Sequence, residues 1–96
     1  ATIFIPNTFT PNGDDINDIF LPLGKSIATM QLLVFDRWGE QIFASDDPEM
    51  GWDGTYKGEF VKNDMYIWRL QYSFYTDKDG TIGPKQNQVG NIQVLR

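Results

Sequence analysis

The sequence contains no cysteine and no histidine. Without cysteine the chain can form no disulfide framework, thiol nucleophile or zinc–thiolate site, and this lack fits both oxidising and reducing compartments. Without histidine it also lacks the commonest general base and transition-metal ligand. Oxygen ligands remain, so the sequence predicts no cofactor other than a hard cation, with calcium first.

Basic residues are few as well. Eight Lys and Arg stand against 13 Asp and Glu, which gives a net charge of −5. The basic residues are scattered from Lys25 to Arg96 and form no stripe, which argues against nucleic-acid binding. No apolar run approaches the roughly 18 residues of a membrane-spanning helix, so we expect no direct membrane insertion. A strand pattern begins directly after Ala1, so we expect no signal peptide here and infer a segment of a longer protein.

The periodicity is that of strands. The 96 residues are 41% hydrophobic and 15% aromatic, which suits one small domain over residues 1–96. Apolar residues alternate from Met65 onward, which predicts a long strand with one buried face. These inward positions are Tyr66, Trp68, Leu70, Tyr72 and Phe74. The wetter face is predicted to carry Arg69, Gln71 and Ser73.

Other runs complete a β pattern. Met30–Asp36 is apolar on both faces and is predicted to be central, with Gln41–Ala44 returning as its hairpin partner. Val89, Ile92 and Val94 are predicted to point inward from a last strand, where Gly90 permits a bulge or a close approach. No stretch shows a convincing helical period. The prediction is an all-β fold, a single immunoglobulin-like antiparallel β-sandwich of about seven strands.

The segment Thr10–Asp18 is dense in oxygen-bearing side chains, more than a hairpin turn requires. The side chains of Asn12, Asp14 and Asp18 with the carbonyl of Ile16 would give a calcium ion about four of the six to eight oxygens it takes. Three interpretations stay open. The loop is a self-bonded Asx turn, a calcium site or a recognition surface.

Two tryptophan motifs have structural interpretations. In Arg37–Glu40 we expect a hairpin turn with Gly39 at positive φ, Trp38 over the sandwich edge and Arg37 stacked or paired. Trp52 is predicted to fill the core, and Asp53 to bond the amides of the next turn. We therefore expect the tryptophans to serve the fold. Exposed Trp and Tyr would instead favour a sugar-binding platform.

Catalysis is not expected. Glu40 and Glu59 could in principle act as an acid–base pair, but neither has a recognisable catalytic context. The sequence therefore predicts a protein that is not an enzyme.

The order of motifs resembles the gliding motility-associated C-terminal domain of Bacteroidota across essentially the whole chain. The segments that carry the resemblance are Pro6–Asp18, Phe35–Glu40, Gly51–Gly54 with Gly58, Met65–Trp68, Gly90 and Leu95–Arg96. The chain departs from the family pattern at Asp15, where Gly is usual, and at Asn63-Asp64, which replaces a Pro/Gly-type turn. Asp and Asn tolerate left-handed backbone, so the fold should survive both changes.

The resemblance implies a function. Members are similar to type B sorting signals of the type IX secretion system and lie at the extreme C-terminus of large surface or secreted proteins. We expect a folded sorting signal that carries such a protein, a gliding adhesin for example, through the periplasm to the cell surface or medium. The alternative is a calcium-dependent carbohydrate-binding or adhesion module.

The expected partners are outer-membrane carrier or translocon proteins, with the isolated domain a monomer. Either the final strand, Gln88–Arg96, or the strand from Ile3 is the expected docking edge, because edge strands pair readily with other chains. The candidate partner-binding residues are Asn12, Gly13, Asp14, Asp15, Asn17, Asp18, Arg37, Trp38, Gly39, Glu40 and Arg96.

Overall fold

The computed structural model describes residues 2–11, 18–76 and 79–96, and these residues form strands and connecting segments without a helix. None of the described chain is therefore a helix able to cross a membrane. The strands are β1 (Thr2–Phe4), β2 (Thr8–Phe9), β3 (Leu23–Lys25), β4 (Ile27–Phe35), β5 (Gln41–Ser45), β6 (Thr55–Tyr56), β7 (Glu59–Phe60), β8 (Asp64–Phe74) and β9 (Gln86–Val94).

One five-stranded sheet dominates the fold, with the strand order β2-β9-β8-β4-β5. Its neighbours are antiparallel except for β2 and β9, which run parallel. Two further pairs, β1–β3 and β6–β7, are antiparallel. The all-β prediction is confirmed. The described strands number nine rather than about seven, and the parallel pair arises because the chain leaves β1 and joins the large sheet beside β9.

The core lies on one face of the five-stranded sheet. Alternation along β8 buries Tyr66, Trp68, Leu70 and Tyr72, as the sequence predicts. Side chains from β4, β5 and β9 join them: Met30, Leu32, Val34, Ile42, Ile92 and Val94.

The opposite layer consists of short strands and connecting segments. It contributes Phe9, Phe20 and Trp52, each at most 1% exposed. Phe20 and Trp52 exchange backbone hydrogen bonds of 2.7 and 2.9 Å. The Trp52 ring lies 5.3 Å from Phe9 and 5.4 Å from Tyr66, so the prediction that Trp52 fills the core is confirmed.

Two predicted orientations are wrong. Val89 is 64% exposed, because it lies opposite Arg69 on the outer face, whereas Ile92 and Val94 point inward. With a side-chain period of two, Val89 and Ile92 cannot share a face. Ser73, predicted to be wet, is fully buried, and its hydroxyl is bonded to that of Thr29 on β4.

The close approach predicted at Gly90 is confirmed. A Cβ at this position would lie 2.5 Å from Cζ2 of Trp68. The indole lies across the glycine and donates a 3.2 Å hydrogen bond to the carbonyl of Asn91. The Trp68 ring of β8 therefore packs directly on the backbone of β9 at Gly90, where any larger residue would clash with it.

Candidate functional site

The turn between β4 and β5, residues 36–40, is held by one carboxylate. Oδ1 of Asp36 accepts hydrogen bonds of 2.9 Å from the amides of both Trp38 and Glu40. The Gly39 amide donates to the Asp36 carbonyl at 3.0 Å, and Gly39 has a φ of 86°. The predicted hairpin turn with glycine at positive φ is confirmed, and it presents its side chains on a rigid frame.

Trp38, at the tip of this turn, is 84% exposed. The guanidinium of Arg37 lies 5.6 Å from the centre of its ring and also pairs with Asp64 at 3.3 Å. Arg37 is thus both stacked and paired, as predicted. The expectation that the tryptophans serve the fold does not hold for Trp38, because so exposed a ring contributes little to a core.

A second hairpin, β6–β7, lies beside the 36–40 turn. Its two turn residues, Lys57 and Gly58, have φ values of 53° and 84°, the positive pair that a type I′ turn requires. The Tyr56 hydroxyl donates a 2.9 Å hydrogen bond to Glu40, which ties the two hairpins together. The Lys57 ammonium lies 5.2 Å from the centre of the Tyr56 ring.

Arg96, at the end of the sequence, is anchored on this second hairpin. Its guanidinium lies 3.9 Å from the centre of the Phe60 ring, close enough for a cation–π interaction. Its amide donates a 3.0 Å hydrogen bond to the side chain of Asn63. Arg96 therefore contacts the β6–β7 hairpin, to which the 36–40 turn is also bonded.

These elements enclose a groove of about 560 Å³, which we call the end groove. Its lining comprises Asp36, Arg37, Trp38, Ile42, Tyr56, Glu59, Phe60, Val61, Lys62, Asn63, Asp64 and Tyr66. Aromatic surface alternates with charges of both signs. Such a mixture is typical of protein-recognition sites, where aromatic and arginine side chains contribute most of the binding energy.

Tyr66 closes the floor of the end groove. Its hydroxyl donates a 2.8 Å hydrogen bond to the carbonyl of Lys62. Burial raises the pKa of Tyr66, and the negative charges of Asp64 and Asp36 raise that pKa further. The phenol is consequently held neutral and oriented by the wall of the groove.

Of the candidate residues in the oxygen-rich loop, only Asp18 falls within the described residues, while Asn12, Gly13, Asp14, Asp15, Ile16 and Asn17 lie outside them. Asp18 lines a small cleft with Asp53 and Phe60. Asp53 accepts from the amide and hydroxyl of Thr55 at 3.0 and 2.6 Å, which confirms its predicted role in the next turn. Since Phe60 also lines the end groove, the loop ends beside the same aromatic ring. The calcium site stays a prediction.

The family comparison involves nearly the whole domain, since residues 3–94 match the profile of the CHU_C type IX secretion signal domain. The chain belongs to this family. No curated protein and no solved structure matches the chain. Membership implies that the signal domain interacts with the type IX machinery and that the protein carrying it is exported to the cell surface or beyond. The matched span includes the entire end groove, whereas Arg96 lies just past it.

Sequence reasoning missed the contribution of the β6–β7 hairpin to this site. Tyr56 and Phe60 were not among the candidate residues, although both line the groove. A weak signal was present, because Lys57-Gly58 is a two-residue turn between short polar–aromatic segments. Lysine is uncommon at positive φ, so that signal is far weaker than Asn-Gly would have been.

Proposed function

We propose that this signal domain lies at the C-terminal end of a larger surface or secreted protein, such as a gliding adhesin, and directs it across the outer membrane. A carrier or translocon protein of the type IX system recognises it in the periplasm as a folded unit. The family match over residues 3–94 carries the proposal, because it spans all of the five-stranded sheet. Recognition of a folded unit also suits a groove assembled from two separate segments of the chain, residues 36–42 and 56–66.

The end groove is the proposed recognition site. Trp38 supplies an exposed aromatic surface, and Arg37 supplies a cation that is already oriented by stacking on the Trp38 ring. Such pre-organised aromatic and arginine groups lose little conformational entropy when a partner binds. In this function the domain binds and does not catalyse.

The proposal is tested by fusing residues 1–96 to a neutral periplasm-competent reporter in a type IX-competent host. The fusion should reach the cell surface or the medium in wild-type cells and remain in the periplasm of a type IX secretion mutant. Equal periplasmic accumulation in both strains would refute the proposal.

Two truncations refine this experiment. Deleting residues 89–96 removes Ile92 and Val94, both 0% exposed, so the domain should unfold and export should stop. Each buried aliphatic side chain contributes about 1.5–3 kcal/mol, against a total stability of about 5–15 kcal/mol. Deleting Arg96 alone removes only its contacts with Phe60 and Asn63. We expect unchanged export after that deletion. Normal export after the deletion of residues 89–96 would contradict recognition of a folded signal.

The exposure of Trp38 supports a second candidate, the carbohydrate-binding or adhesion module. An exposed indole beside Tyr56 and Phe60 would suit the flat face of a sugar ring. This candidate predicts saturable quenching of tryptophan fluorescence by a soluble oligosaccharide. Trp38→Ala should abolish the quenching while the folded state persists, with exposed Met50→Ala as the control. Unchanged fluorescence across a glycan panel would rule out the carbohydrate-binding candidate, and the sorting function would then be the one candidate left.

A further inference from the structure

The five-stranded sheet is almost devoid of charge. The chain has 8 basic and 13 acidic residues, yet only Asp64 and Arg69 occur in the five strands of this sheet. Asp64 is paired with Arg37. Arg69 is exposed on the outer face and has no carboxylate at ion-pair distance within residues 2–11, 18–76 and 79–96. Within the described part of the chain, Arg69 is therefore a cation without an ion-pair partner on an otherwise uncharged face of the sheet.

Apolar side chains flank this cation. Arg69 lies opposite Leu33 of β4 on one side and opposite Val89 of β9 on the other, and residues opposite one another in a sheet share a face. Val89 is 64% exposed and Leu33 is half-buried. The three side chains line a shallow groove of about 220 Å³ on the outer face. The next row carries further apolar surface, with Phe35 opposite Ile67.

The same groove ends at an open strand edge. Strand β9 pairs with β8 over its whole length but with β2 only at Gln93 and Val94. Among the described residues no strand covers β9 from Gln86 to Ile92 on the side away from β8. Proteins usually protect such an edge with charge, proline or a short length. Residues 86–94 have nine members and neither a charge nor a proline.

The direction of the free backbone groups follows from the pairing with β2. The amides of Gln93 and Leu95 donate to carbonyls of residues 7 and 9, so odd-numbered residues of β9 face away from β8. The amide and carbonyl of Val89 consequently point to the open side. The carbonyl of Asn91 also faces that side and accepts from Trp68. The free ladder is therefore centred on Val89.

We propose that this edge of β9, together with Arg69, docks an extended strand of a type IX secretion partner that carries a glutamate among apolar residues. The added strand would lie two strand spacings from β8, about 10 Å, a distance that an arginine and a glutamate side chain together span. Backbone pairing at Val89 supplies the attachment and the Arg69–carboxylate pair fixes the register. This inference rests on the proposed sorting function and names a partner surface separate from the end groove.

The test uses the reporter fusion with two matched pairs of substitutions. Arg69→Glu reverses the cation, and Lys25→Glu makes the same charge change on exposed strand β3 of another sheet. Val89→Pro removes the outward amide, which an edge strand tolerates, whereas Val89→Ala shortens the side chain and keeps that amide. Export of Arg69→Glu and of Val89→Pro should fall at least tenfold. Lys25→Glu should stay within threefold of the wild-type fusion, and Val89→Ala, which keeps the outward amide, should be exported at least threefold better than Val89→Pro.

Melting curves of the four purified variants verify that each one is folded, and Arg69→Glu retains the test if Val89→Pro unfolds. Wild-type-level export of a folded Arg69→Glu overturns this inference while leaving the sorting function intact. Loss of export by the unmodified fusion overturns both. Sedimentation of the purified domain tests whether β9 pairs with a second copy of the domain instead of a secretion partner. A wild-type dimer that Val89→Pro makes monomeric would show pairing with a second copy and overturn the inference.

Discussion

Substituting Gly90 by alanine would place a methyl group in steric conflict with the indole ring of Trp68. The new Cβ would lie 2.5 Å from Cζ2 and 2.8 Å from Cε2, distances that essentially no real Cβ atom shows. The indole must therefore rotate or shift, which also disturbs its hydrogen bond to the carbonyl of Asn91. The backbone at Gly90 is ordinary, so the effect is steric and not conformational.

The expected magnitude combines two opposing terms. Overpacking a well-packed core costs about 1–3 kcal/mol. Replacing glycine by alanine in an unfolded chain stabilises the fold by about 0.4–1 kcal/mol, because the unfolded state has fewer conformations to lose. We therefore expect Gly90→Ala to lower the free energy of unfolding by about 1–2 kcal/mol. With a urea slope of about 1–3 kcal/mol per molar, the midpoint should fall by roughly 1 M.

A double-mutant cycle isolates the cause. Trp68→Phe removes the part of the ring that the methyl group would strike, and it alone should cost about 1–3 kcal/mol through lost burial and the lost hydrogen bond. If the clash explains Gly90→Ala, the double variant should be more stable than the sum of the single changes by at least about 0.5 kcal/mol. Urea unfolding followed by far-UV circular dichroism measures all three variants.

Strict additivity of the two substitutions would refute the steric explanation. So would a Gly90→Ala variant that is as stable as the wild type. Gly58→Ala provides the contrasting case, because a Cβ there meets nothing within 4 Å but Gly58 has a φ of 84°. Its cost, about 1–2 kcal/mol, should be independent of Trp68.

Two further predictions concern the oxygen-rich loop and the floor of the end groove. If the loop Asn12–Asp18 holds calcium, millimolar calcium should raise the melting temperature of metal-free protein and Asp14→Ala should remove the gain; identical curves in chelator and in calcium would favour the Asx turn. Because the pKa of Tyr66 is raised, its stabilising effect is complete below the ordinary value of 10.0 and is lost as the pH rises through the raised value. Between pH 9 and 11 the melting temperature of Tyr66→Phe should therefore fall less than that of the wild type. An equal fall in both proteins would contradict the raised pKa of Tyr66.

The regular part of this fold was predictable from the sequence. Strand β8 follows an alternation of large apolar residues, and the hairpin strands β4 and β5 are joined by a recognisable turn at Gly39. These signals are local, because burial on one face imposes a period of two and a tight turn imposes a positive φ. The burial of Trp52 agrees with the gain from burying so large an apolar ring, but the same argument was wrong for the exposed Trp38.

What the sequence could not show depends on residues far apart in the chain. The anchoring of Arg96 depends on where the β6–β7 hairpin places Phe60. The exposure of Trp38 depends on how the 36–40 turn projects beyond the sheet. Composition and periodicity carry no information on such long-range placement. Only the family resemblance indicated a partner.

The parallel pairing of β2 with β9 has a consequence for the timing of biosynthesis. Thr8 lies beside Gln93, so β2, near the beginning of the domain, can pair only after β9, near its end, has been synthesised. Contacts between such distant segments form late, because the intervening chain must first be ordered. A nascent chain that has emerged only as far as β8 lacks the strand that joins the two. The five-stranded sheet can therefore be completed only after β9 has been synthesised.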